Sequence, residues 1–188
     1  MRVHIGTDHA GFDLKNYLVT ALVADGHDVL DHGPQTLDPE DDYPDYCIPV
    51  AEGAVAEPGS LGVVIGGSGN GEQMAANKVV GCRAALAYDL ETATLAREHN
   101  DATVISIGAR MHTEEEALGF VRVFLATPTS SMTVLRERSS ARPEMMIVRA
   151  PAAVKRRTTL TAAPALRAYR PGSSAGSGEH MPTWSISK

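Results

Sequence analysis

Short apolar runs alternate with stretches of helical spacing from the first residues of the chain onward. Arg2 to Gly6 reads as a short strand. Leu14, Tyr17, Leu18, Ala21 and Leu22 then recur at the interval of an amphipathic helix, and Gly26 is a natural stop. His27 to Leu30 predicts a second strand. A polar loop follows from Asp31 to Tyr43, holding Gly33, Pro34, Pro39 and four aspartates. Ile48, Ala51 and Val55 predict the next helix, with Pro49 working against it because proline removes a helical donor. Leu61 to Ile65 is a continuous apolar run, the signature of a fully buried strand. After a glycine-rich segment come a short helix to about Asn77 and a strand from Arg83 to Ala87. Asp89 caps a helix to about Glu98, and Thr103 to Ile107 is the fifth strand. Thr113 and Glu116 form a capping box, with Ala117, Val121, Phe124 and Leu125 as the apolar face behind it; Pro128 ends the pattern.

Strand and helix thus alternate about five times, which predicts an α/β fold. It is a single-domain, three-layer α/β/α sandwich with a Rossmann-like five-stranded parallel sheet and right-handed crossovers. Ligands of such sheets bind beyond the carboxyl ends of the strands, so the residues just after each strand matter most. They are Thr7-Asp8-His9-Ala10-Gly11 after the first strand, Gly66-Gly67-Ser68-Gly69-Asn70-Gly71-Glu72-Gln73 after the third, and Gly108-Ala109-Arg110-Met111-His112 after the fifth. An acid, an imidazole, a glycine-rich anion cradle with a carboxylate, and a guanidinium are predicted to meet at one edge.

The glycine segment has main-chain N–H groups at a helix start, which suits negative charge. No Lys-Ser/Thr follows, so it is not a Walker loop. Gly67-x-Gly69-x-Gly71 puts Gln73 where a dinucleotide fingerprint needs glycine, and Glu72 would repel a diphosphate. Asp89 lies at the right distance for a ribose contact, so a nucleotide-binding or sensor module stays as the rival reading. Glu72 reads instead as a base. Moving a proton between adjacent carbons through an enediolate needs a base beside the carbon and donors where the oxyanion develops. Ser68 and the loop amides suit the second role. The helix N-terminus lowers the pKa of Glu72 and desolvation raises it, and sequence does not decide between them.

Composition narrows the partners. The 188 residues suffice for one domain with a core, and the apolar runs are too short to span a bilayer. The N-terminus shows no secretory signal, and Cys47 and Cys82 read as buried thiols; a cytoplasmic location is expected. Residues 1–128 carry a net charge of −13, and residues 129–188 carry +7. The acidic body argues against nucleic-acid binding. The basic extension is either a solvated tail or a contact for an anionic partner.

Several ordered segments resemble one family. Gly6-Thr-Asp-His-Ala-Gly11, Asp42-Tyr43-Pro44, Gly66-Gly-Ser-Gly-Asn-Gly-Glu72 with Ala75-Ala-Asn-Lys78, Ala96-Arg-Glu-His-Asn100 and Ile107-Gly-Ala-Arg110 are similar to ribose-5-phosphate isomerase type B, over residues 1 to about 128. The resemblance implies metal-free and cofactor-free interconversion of ribose 5-phosphate and ribulose 5-phosphate within the pentose phosphate pathway. It implies that Asp8 and His99 assist ring opening, that His9 contacts the substrate, and that Glu72 shuttles the carbon-bound proton. Ser68 with the amides of Gly67, Gly69, Asn70 and Gly71 would stabilise the enediolate; Tyr43 and Asn100 would line the site, and Arg110 would meet the phosphate. Some members use a cysteine where this chain has Gly66. A related six-carbon sugar phosphate, or a free aldose, is the alternative substrate. The family is at least dimeric, as a homodimer or homotetramer with shared sites. The sequence points the same way, because the helix ending at His99 starts at the carboxyl edge and spans about 15 Å. That places His99 at the edge opposite Glu72, from where it would serve a neighbouring subunit.

The likeness breaks after Pro128. Family members continue with a helix bearing an Arg-His pair and a further arginine for phosphate, whereas Arg136, Arg138 and Arg142 stand out of that register. The expected organisation is therefore an isomerase domain over 1–128 and a divergent basic extension over 129–188.

Overall fold

A computed structural model describes residues 1–129. The described residues belong to one compact unit. Arg136, Arg138 and Arg142, and all of the predicted extension except Thr129, lie outside the described residues.

The elements follow in the order β1 (Arg2–Thr7), a 3-10 turn (His9–Gly11), α1 (Phe12–Ala24), β2 (Asp28–Asp31), α2 (Pro44–Ala56), β3 (Leu61–Gly66), α3 (Asn70–Ala76), β4 (Ala84–Leu86), α4 (Leu90–Glu98), β5 (Val104–Gly108) and α5 (Glu114–Ala126). The strands form one parallel sheet in the order β2-β1-β3-β5-β4. α1, α4 and α5 cover one face, α2 and α3 the other. This is the α/β sandwich that the alternation predicts. Helices fall on opposite faces because right-handed crossovers run leftward from β1 to β2 and rightward from β2 to β3.

The predicted Asp89 cap and Thr113 capping box are both formed, and Thr92 completes a second box with Asp89. Asp89 accepts from the Thr92 amide at 2.7 Å, and the Thr113 hydroxyl accepts from the Glu116 amide at 3.2 Å. The second strand runs one residue later than predicted, because Asp28 pairs with Arg2 at its start. α2 departs further from the sequence reading. It begins at Pro44, a tolerated first-turn proline, and continues through Pro49. Its buried side is Cys47, Val50, Ala51 and Ala54, whereas Val55 is 39% exposed. Packing against β1 and β3 selects that stripe over the one Ile48 and Val55 suggested.

Strand ends fix where chemistry is placed. Thr7 lies level with Ile65, and Gly66 with Gly108, so β1, β3 and β5 deliver their following segments side by side. Thr7 Oγ1 donates to the Ile65 carbonyl at 2.9 Å, pinning β1 to β3 just before Asp8. On the α1 side, Ile5, Leu18, Leu22, Ile65, Ile105, Ile107 and Phe124 are fully buried. Each is worth about 1.5–3 kcal/mol relative to exposure.

Candidate active site

The glycine segment leaves β3 and enters α3 under tight constraint. Gly69 adopts a left-handed φ of +81°, and a Cβ there would meet Leu86 and the Ile107 backbone. Ser106 Oγ donates to the Gly69 carbonyl at 2.6 Å. The Ala109 and Arg110 amides donate to the Gly66 and Gly67 carbonyls at 2.7 and 3.1 Å. The loops after β3 and β5 are therefore laced together, which carries the Arg110 guanidinium to within 3.5 Å of the point a Cβ on Gly67 would occupy. Ala10 closes on the same point from the β1 side, at 3.8 Å.

Glu72 sits in the first turn of α3 and is only 5% exposed. A Cβ built on Gly66 would overlap its carboxylate, so the missing side chain at 66 is the space that the carboxylate fills. Oε2 of Glu72 is buried without a hydrogen-bond partner. Burial pushes the carboxyl above the ordinary carboxylate range, and the negative charge of Asp8 adds to this. Hydrogen bonds from the Glu72 and Gly69 amides pull it back less strongly. The question left open by sequence is thus decided in favour of desolvation. A half-starved carboxylate of raised pKa beside a cleft is what a group accepting and returning a carbon-bound proton requires.

Asp8 is buried, and its Oδ1 accepts from the Ala10 amide at 3.0 Å, capping the 3-10 turn that holds His9. Ser68 Oγ accepts from the amide and the side-chain Nδ2 of Asn70, both at 3.3 Å, which leaves its own O–H unspent on these bonds. The Tyr43 ring lies against Gly71, where a Cβ would come within 3.0 Å of Cζ. The structure therefore brings Asp8, His9, Tyr43, Gly67, Ser68, Gly69, Asn70, Gly71, Glu72 and Arg110 to one edge. It does not bring His99 and Asn100 there. His99 caps the far end of α4, and the Asn100 carbonyl accepts from Arg83 Nε just before β4, at the opposite edge of the sheet.

Two charged residues escaped the sequence reading. Asp41 Oδ1 accepts from the His9 amide at 2.8 Å and from His9 Nδ1 at 2.9 Å. Lys15, on what reads as the polar side of α1, is 0% exposed, with Nζ donating to Asp31 Oδ2 at 2.6 Å and to the Pro34 carbonyl at 2.8 Å. The four aspartates of the loop were visible, but nothing local singled out Asp41. Among the described residues, no group of three or more His, Cys, Asp or Glu is placed to hold a metal ion, and no helix is long and apolar enough to cross a membrane.

A family model described as Ribose/Galactose Isomerase matches residues 3–142. A curated ribose-5-phosphate isomerase B of Mycobacterium leprae is 57% identical over 130 residues, spanning 69% of this chain and 80% of that protein. The same-named protein of Mycobacterium tuberculosis is 56% identical over equal shares. Among solved structures, ribose-5-phosphate isomerase B from Mycoplasma genitalium with bound ribulose-5-phosphate superposes with a TM-score of 0.70 at 35% identity, covering 74% of this chain and 93% of that one. The Clostridium thermocellum enzyme gives 0.70 at 35%, with 77% and 98% coverage.

Proposed function

Because the chain belongs to the ribose/galactose isomerase family, we propose that it interconverts ribose 5-phosphate and ribulose 5-phosphate, with Glu72 as the proton-moving group. The observation that carries the mechanism is the Glu72 carboxylate, buried in the hollow left by Gly66 with one oxygen unpartnered. In the forward direction Glu72 takes the C2 proton of the open-chain aldose. The C–H electron pair becomes the C1–C2 double bond, and the carbonyl pair moves onto O1. The Ser68 hydroxyl and the loop amides receive that charge. The O2 proton passes to O1, and Glu72 returns its proton to C1 as the C2 carbonyl forms. Electrons and protons balance with no co-reactant.

Arg110, beside Gly67 and Ala10, offers a cationic contact for the phosphate, and His9 contacts the substrate. Asp8 and His99 serve ring opening. Since His99 and Asn100 stand at the far edge of their own sheet, a second copy of the chain supplies them, as a homodimer or a larger homo-oligomer in the cytoplasm. A six-carbon sugar phosphate is the second reading, favoured by the galactose isomerases within the matched family. Rates on ribose 5-phosphate, allose 6-phosphate and free allose rank the two.

The test of the mechanism is exchange of the substrate C2 hydrogen with deuterated solvent, parent against Glu72→Gln. The expected result is exchange in the parent and its loss, by roughly 10²–10⁴-fold, in the variant. Equal exchange in both would remove Glu72 from the role.

A further inference from the structure

Asp41 is joined to His9 across 32 residues of chain by two bonds to one oxygen. Its side chain is 6% exposed, whereas that of His9 is 34% exposed. The loop that carries it is fastened at its other end by the buried Lys15 ammonium on Asp31 and Pro34. It is fastened also by the Thr7 and His32 amides, which donate to the Gly33 and Ile5 carbonyls at 3.2 and 2.8 Å. With Nδ1 and the His9 amide both held, the ring keeps one orientation, and Nε2 is its remaining polar atom. The geometry points to Asp41 as a positioning residue, one that fixes the His9 ring so that Nε2–H is offered to the anionic end of the substrate.

The role rests on the isomerase reading for the substrate, whereas the Asp41–His9 contact is independent of it. A carboxylate on Nδ1 fixes the tautomer and favours the imidazolium, as in other buried carboxylate–histidine pairs. The hydrogen bond to Asp41 raises the His9 pKa above the ordinary value, and the charge of Asp8 adds to it. Arg110 reaches Gly67, beside Ala10, from the loop after β5. Lys15, on α1, has its ammonium on Asp31 and Pro34. A dianionic phosphate meeting His9 would therefore find a donor already aimed, with no rotamer search to lose on binding.

The experiment follows the imidazole nitrogens of His9 by NMR across pH in the full chain, for the parent, Asp41→Asn and Asp41→Ala, alongside KM and kcat for ribose 5-phosphate. In both variants the His9 midpoint is expected to move down. KM at pH 8 is expected to rise roughly tenfold with kcat within about twofold, the signature of lost uniform binding. In a His9→Asn background, Asp41→Asn should change KM no further. If the His9 titration is unchanged in Asp41→Asn and Asp41→Ala, or if the KM effect persists fully without His9, Asp41 is only a loop fastening and the proposal fails. A parent with no isomerase activity would instead sink the functional reading, while the NMR titration would still decide the contact.

Discussion

The two faces of the sheet are built from different alphabets. Toward α1, α4 and α5 the strands point Val3, Ile5, Leu61, Val63, Ile65, Ile105 and Ile107, met by Leu18, Leu22, Phe120 and Phe124. Toward α2 and α3 the same strands point His4, Gly6, Gly62, Val64, Gly66, Val104, Ser106 and Gly108, met by Cys47, Val50, Ala51, Ala54 and Ala75. A Cβ on Gly6 or Gly62 would come within 3.0 Å of Val50, and one on Gly53 would overlap the His4 ring. The first face is packed for volume. The second is thinned so that α2 and α3 approach closely and bring Tyr43 and Glu72 to the cleft. Stability and chemistry are therefore concentrated on opposite sides of one sheet, and substitutions should separate them.

The sharpest separation is expected at Gly66. Gly66→Ala puts a methyl where the Glu72 carboxylate lies, and that carboxylate is the free end of a flexible side chain able to swing away. Isomerase activity should fall roughly 10²–10⁴-fold, while unfolding free energy changes by less than about 1 kcal/mol. A variant equally active, or one that does not fold, would break the comparison. On the opposite face, Phe124→Ala should cost about 3–5 kcal/mol in urea unfolding and leave kcat/KM close to that of the parent well below its melting temperature. The smallest effect concerns pH. Glu72 is raised from an ordinary value of 4.5, so the unfolded chain releases this proton first and the folded state is disfavoured as pH climbs through the raised value. Glu72→Gln lifts that burden. Its melting temperature should match the parent's near pH 4 and exceed it increasingly toward pH 7.

What could be read from sequence follows the range of each signal. β3 is a contiguous apolar run, the Asp89 cap and the Thr113 capping box are each set within one helical turn, and the glycine segment is continuous; all are local, and all are present. The displacement of His99 from Glu72 needed only the rise of a helix and the direction of a crossover. The buried stripe of α2 is only partly legible: Ala51 stands on it, but Cys47, Val50 and Ala54 are small, and only the glycines facing them make that side a core. Lys15 and Asp41 were missed for a related reason. Their partners lie 16 and 32 residues away, across a loop whose path no periodicity encodes. A lysine between Leu14 and Asn16 reads as solvent-facing until a loop closes over it.

The vacancy at Gly66 also sets what kind of damage this cleft can suffer. No sulfur occupies position 66, and the two thiols in the chain are poor nucleophiles: burial pushes Cys47 far above the ordinary range, with the charges of Glu72 and Asp8 adding to it, and burial raises Cys82 as well. Peroxides and alkylating agents act on thiolates, and burial disfavours the thiolate at both cysteines. The carboxylate that fills the hollow at Gly66, the base proposed above, is itself no target for reagents that attack sulfur.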